Sequence, residues 1–124
     1  MVYDISRVEG GFRFARDERL KKQAEISMVF KKGRCASCPG AKLFVLQNGL
    51  ERNRIAFTFA RKFGNAVQRN RSRRISREAY RHLKNTAWQG FDLILLVYPP
   101  DGLLVDERMK QLRILFKKGG LERT

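Results

Sequence analysis

The chain has 124 residues, enough for one domain with a modest core. Its hydrophobic fraction of 43% and charged fraction of 31% are those of an ordinary folded protein. The balance of charge is not ordinary: 27 Lys and Arg against 12 acids give a net charge of +15, which points to a polyanionic partner.

No apolar run approaches the ~20 residues of a spanning helix, which makes a membrane reading weak. Residues 1–13 mix acids and bases around Gly10-Gly11 and read as a loose arm. They lack the uninterrupted apolar core of a secretory signal, so a reducing cytoplasm is the expected setting. Asp17 is placed to cap a helix over 18–32, which Gly33 ends, with Leu20, Gln23, Ile26, Val29 and Phe30 on one face. "CASCPG" at 35–40 reads as a loop. Cys35 and Cys38 are expected as free thiols, because a structural zinc needs four ligands and His82 is the one other good candidate.

"KLFVLQ" at 42–47 reads as a strand followed by an Asn48-Gly49 turn. "RIAFTFA" at 54–60 alternates cleanly, with Ile55, Phe57 and Phe59 toward a core and Ala56, Thr58 and Ala60 on a face with room for a ligand. A helix follows over 65–84, then a buried strand in "FDLILLVY", closed by Pro99-Pro100. A last amphipathic helix spans 104–118 with Met109, Leu112, Leu115 and Phe116 inward. Helix, strands, helix, strand and helix in one unrepeated unit make an α+β domain.

The helix over 65–84 carries the chemistry. At 100° per residue, Arg69, Arg73, Arg77, Asn70, Arg81 and Arg74 fill one arc of about 140°. Ser72, Ile75, Ala79 and Leu83 fall opposite and are expected to pack on the sheet. From Arg61 to Lys84 the one acid is Glu78, whereas a solvated face normally interleaves signs to gain i,i+4 pairs. Arginine is used in preference to lysine, and its planar fork binds phosphate bidentately. A helix that reads DNA bases mixes small and amide residues with its arginines; here Asn70 stands alone among them. The face suits the phosphates and shape of structured RNA.

"ARKFGNAVQRNRSRRISREAYR" closely resembles the signature run of the bacterial ribonuclease P protein subunit family. The matching positions are Lys62, Gly64, Asn65, Ala66, Val67, Arg69, Asn70, Arg71, Arg74, Arg77 and Glu78, with Arg73 where lysine is frequent. "RLKKQAEISMVFKKG" is similar to the family's first helix and "FDLILLVYP" to its last strand, so the resemblance covers about 14–118.

The resemblance implies a ribosomal-protein-S5-domain-2-like fold, ordered α-β-β-β-α-β-α with a left-handed βαβ crossover. It implies a single RNA-binding domain over 14–118 and a tail over 119–124. It further implies a subunit whose large RNA partner, one protein per RNA, cleaves the 5′ leader from precursor tRNA with Mg²⁺ held mainly by that RNA. Catalytic-RNA contacts then fall on Arg61, Lys62, Asn65, Arg69, Asn70, Arg71, Arg73, Arg74, Arg77 and Arg81. The leader falls in a cleft of Ile26, Phe30, Val45, Gln47, Thr58 and Ala60, where Ile26 and Gln47 replace the family's more common aromatics. No catalytic or metal-binding residue is expected on the protein. A ribosomal or ribosome-assembly RNA-binding protein is the alternative reading, and a DNA-binding architectural module a third.

Overall fold

The computed structural model describes residues 18–123. They form α1 (Gln23–Lys32), β1 (Arg34–Cys38), β2 (Ala41–Gln47), β3 (Arg54–Phe59), α2 (Ala66–Leu83), β4 (Phe91–Val97) and α3 (Val105–Lys118). The order is the α-β-β-β-α-β-α expected of the α+β class. The arm over 1–13 and the Asp17 cap lie outside the described residues. The strands make one sheet in the order β1-β2-β4-β3, antiparallel except for the parallel β3/β4 pair, whose crossover is α2. Strand β4 is central and covered on both faces, which is why its sequence is apolar without alternation.

One face of the sheet carries Leu43, Val45, Ile55, Phe57, Leu93 and Leu95 beneath α2 and α3. The Tyr80 ring meets Phe57 and Phe116 edge-on, each at 6.4 Å, and so joins sheet, α2 and α3. The opposite face presents Ala56 and Ile94 to Leu20, Ile26 and Val29. Each of these large aliphatic side chains contributes about 1.5–3 kcal/mol by leaving water.

Three sequence expectations give way. The "CASCPG" loop contains strand β1, paired with β2 from Arg34↔Val45 to Cys38↔Ala41. It adds little to the core: Ala36 is buried close to Gly119 at the end of α3, and Cys38 packs against the same core partly buried. The helix expected from residue 18 starts at Gln23; before it Arg19 bridges to Ile55, and the Leu20 N–H donates to the Ile55 carbonyl at 3.1 Å. The expected tail packs back. Gly120 takes φ +75°, Leu121 is fully buried, and Glu122 bridges to Ala87.

The α2–α3 side is locked by a buried polar network. Arg108 is fully buried and donates to both Asp101 and Gln111. The Ser72 hydroxyl of α2 donates to Asp101, and Gln111 reaches the Pro39 carbonyl at 2.9 Å. Burial lowers the Arg108 pKa from its ordinary value, and the Asp101 carboxylate opposes that shift. Removing one member leaves the other charge buried and unpaired, so Arg108→Ala should cost about 3–5 kcal/mol in urea unfolding. A loss below about 1 kcal/mol would show that the pair is not structural.

Candidate nucleic-acid interface

The chain enters α2 through a tight corner. Lys62 has φ +59° and Gly64 φ +153°, and a Cβ on Gly64 would lie 2.2 Å from Gln68 Oε1. That oxygen accepts the Asn65 N–H at 2.9 Å, while Asn65 Oδ1 accepts the Gln68 N–H at 2.9 Å. The reciprocal cap satisfies two orphan amides of the helix end, so Asn65 has a structural role whatever else it binds.

The bases divide into two groups. Arg61, Lys62, Arg74 and Arg81 are exposed and Arg77 is half-buried. Three others are tied into the protein: Arg69 donates to the Gly64 carbonyl at 2.5 Å, Arg71 to the Leu103 carbonyl at 3.1 Å, and Arg73 to Asn70 Oδ1 at 2.8 Å. Arg73 corrects the expected helix phase. It is only 6% exposed and lies over the Phe59 ring, 5.4 Å from its centroid. The packed face consists of Ser72, Ser76, Ala79, Tyr80 and Leu83, while Ile75 is half-buried. The bulk of Tyr80 turns the helix toward the sheet farther than the aliphatic positions alone suggest, and the long Arg73 side chain packs by its stem and planar head. Glu78 takes Arg81 at 3.5 Å and His82 at 3.1 Å, all three on the outer side of α2.

On the opposite face of the sheet, α1 covers the row Phe44–Ile94–Ala56. The next row, Lys42–Leu96–Thr58, lies beyond it: Lys42 and Leu96 are half-exposed, and Thr58 forms the floor with an unpartnered buried hydroxyl. Tyr98 lies beneath the Lys42 ammonium at 5.8 Å, and the half-exposed Phe30 ring meets Phe44 edge-on at 4.8 Å.

This strip contains Phe30, Thr58 and Ala60 but not the other three expected cleft residues. Val45 is 1% exposed on the α3 side of the sheet, beside Gly119, and Gln47 shares its strand parity. Ile26 is fully buried on the sheet-facing side of α1. Lys42, Phe44, Leu96 and Tyr98 take their places. The alternation of β2 separates these residues, but both of its faces are covered by neighbours, and the apolar pattern alone does not say which parity meets α1.

Cys35 and Cys38 both lie on β1 and form no disulfide. Three residues apart on a strand, their Cα atoms are separated by roughly 10 Å, too far for the ~7 Å limit of a disulfide. Burial pushes the Cys38 thiol up. Among the described residues, no group of three or more His, Cys, Asp or Glu side chains is arranged around a common metal position.

The family model for ribonuclease P matches residues 14–119. The chain belongs to the ribonuclease P protein family. The ribonuclease P protein component of Natranaerobius thermophilus is 44% identical over 77 residues, spanning 62% of this chain and 67% of that one. That of Bacillus cereus is 33% identical over 107 residues, 85% of this chain and 93% of that one. The solved ribonuclease P protein of Thermotoga maritima superposes with a TM-score of 0.73 at 26% identity, covering 81% of this chain and 96% of that one. The same fold recurs in a Staphylococcus aureus ribonuclease P protein mutant with defective mRNA degradation activity, at a TM-score of 0.77 and 22% identity over 86% of this chain and 91% of that one. As a member it is a protein subunit of ribonuclease P, an endoribonuclease that works with an RNA subunit in tRNA 5′ leader processing. The purely ribosomal reading is not favoured.

Within this family member, Arg73 and Arg74 should separate packing from RNA contact. Arg73→Ala should lower stability by ~1–2 kcal/mol through the lost ring contact and stem packing. Arg74→Ala should change it by less than ~0.5 kcal/mol. Thermal and urea unfolding of both variants would contradict this assignment if the order were reversed.

Proposed function

We propose that the outer arginines of α2 hold the ribonuclease P RNA and that the strip beside α1 holds the single-stranded 5′ leader of precursor tRNA. The observation that carries this reading is the near absence of acid along α2. From Arg61 to Lys84 the sequence holds nine Lys and Arg and one acid, Glu78, and an external polyanion relieves the repulsion among them. Arg61, Lys62, Arg74, Arg77 and Arg81 supply the accessible phosphate donors, with Asn65, Arg69, Asn70 and Arg71 beside them and Arg73 supporting from beneath.

Strand β3 joins the two surfaces. Thr58 and Ala60 border the strip, and Arg61 and Lys62 follow at once on the way into α2. An RNA strand leaving the arginine face has a path over β3 onto Phe30, Phe44 and Tyr98. Half-exposed rings stack on bases irrespective of sequence, worth ~1–3 kcal/mol per base, and Lys42 adds a phosphate partner. The Thr58 hydroxyl beneath this strip is buried without a hydrogen-bond partner.

In this reading the protein positions RNA and performs no bond chemistry. Mg²⁺ for cleavage belongs on the RNA, because a basic surface repels a divalent cation from this side of the complex. One protein per RNA and a cytoplasmic setting complete the proposal; among the described residues no helix is long and apolar enough to cross a membrane.

Two measurements check these assignments. If about six cations displace counterions, the log–log salt slope of binding to ribonuclease P RNA should be near −4, taking ~0.7 per contact. A slope near zero would remove the electrostatic grip. For the strip, holoenzyme carrying Phe30→Ala should lose ~1–3 kcal/mol of affinity for precursor tRNA and none for mature tRNA. Because Phe30 also packs on Phe44, unfolding must be measured alongside. Equal losses for both RNAs would make Phe30 a packing residue and leave the strip without its stacking platform.

A further inference from the structure

A second basic surface lies at the opposite edge of the sheet from the arginine arc. Helices α2 and α3 lie side by side on one face, with the Arg73 flank of α2 over β3 and α3 over β1. After Glu107, α3 contains no acid through Gly120. Its outer stripe is Lys110, Arg113, Ile114 and Lys117, all exposed and repeating at i, i+3, i+4 and i+7. Strand β1 runs alongside: Arg34 Nη2 donates to the Gly119 carbonyl at 2.8 Å, and Lys118 Nζ to the Ser37 carbonyl at 2.9 Å. Lys31 and Lys32, at the end of α1, are separated from Arg34 by Gly33 alone. None of these cations is ion-paired among the described residues.

We propose that this α3–β1 flank is a second phosphate-contacting surface, which takes the backbone of an RNA segment separate from the one held by α2. The inference rests on the reading of the chain as an RNA-bound subunit. Like charges placed one helical turn apart, about 5 Å along α3, destabilise an isolated helix unless an external anion neutralises them. The choice of residue indicates the kind of contact. Apart from Arg113 and Arg34 the flank uses lysine, a flexible point charge that follows a phosphate backbone without fixing its geometry. The arginine arc is suited to a shaped grip, the lysine flank to a tolerant one. An anionic membrane is the poorer partner, because the apolar side of α3 is committed to the core and the exposed stripe offers only Ile114.

Two basic surfaces at opposite edges make the protein bivalent toward one folded RNA. Once the first surface is engaged, the second meets its segment at a high effective concentration, so modest lysine contacts add affinity. The flank then acts as a brace between two parts of the RNA.

The test uses the full chain with the substitutions Lys110→Glu, Arg113→Glu and Lys117→Glu together; Arg34 and Lys118 stay because they hold backbone carbonyls. Hydroxyl-radical footprinting on ribonuclease P RNA should show two protected segments with the unsubstituted protein. The triple variant should lose one and retain the other, with its log–log salt slope flatter by about 2 at ~0.7 per contact. Its unfolding midpoint should not fall, which separates lost contact from lost structure. An unchanged footprint and slope would overturn the second surface and leave the α2 assignment standing. Failure of the unsubstituted protein to bind the RNA would remove both. Loss of binding to anionic vesicles with RNA binding intact would make the flank a membrane surface and also overturn the proposal.

Discussion

The organisation of this domain depends on where its few acids are placed. Among the described residues, Asp101 pairs with buried Arg108, and Asp92 with Arg54 in a bidentate contact of 2.7 and 2.8 Å. Glu25 of α1 also meets Arg54, at 3.2 Å, and Glu18 meets Lys84 at 3.1 Å. These acids satisfy cations that hold one element to another. That leaves α2 with one acid of its own, Glu78, which meets Arg81 and His82, against a long run of bases. The same placement stabilises the scaffold and sets up the demand for a polyanion, so RNA binding and folding are linked through one limited set of carboxylates.

The strip follows from how α1 is fastened. The Arg54–Asp92–Glu25 cluster anchors its beginning over the ends of β3 and β4, and Ile26 and Val29 bury the row that includes Ile94 and Ala56. Its end is set by Gly33, where a Cβ would lie 2.5 Å from the Val29 carbonyl oxygen and 2.9 Å from that of Val45. The chain therefore turns directly into β1, and the Lys42–Leu96–Thr58 row stays outside the helix's cover. A longer α1 would shield what a single strand is proposed to occupy.

Much of this was legible in the chain. The β3 strand, the buried run of β4 and the amphipathic α3 form where the chain places them, but Ala56 of β3 lies beneath α1 and not on an open face. The arginine run and its flanking glycine and asparagine also carried the family resemblance. What stayed hidden depends on neighbours. β1 has little apolar content of its own, and its strand form comes from pairing with β2. Residues 42–47 are apolar at both parities, so Val45 and Phe44 were indistinguishable until α1 and α3 took opposite faces. Arg73 lies within the polar arc by angle yet packs on Phe59, because its planar head suits an aromatic face as well as a phosphate.

Cleavage of precursor tRNA by a bacterial ribonuclease P RNA at limiting Mg²⁺ is the most direct test of a protein that positions RNA while the RNA does the chemistry. The RNA should be nearly inactive alone under these conditions and active with the full chain. The full chain without the RNA should be inactive, and a version with Arg74, Arg77 and Arg81 replaced by alanine should fold but fail to restore cleavage. Restoration by that variant, or cleavage by the protein with no RNA present, would contradict the division of labour described above.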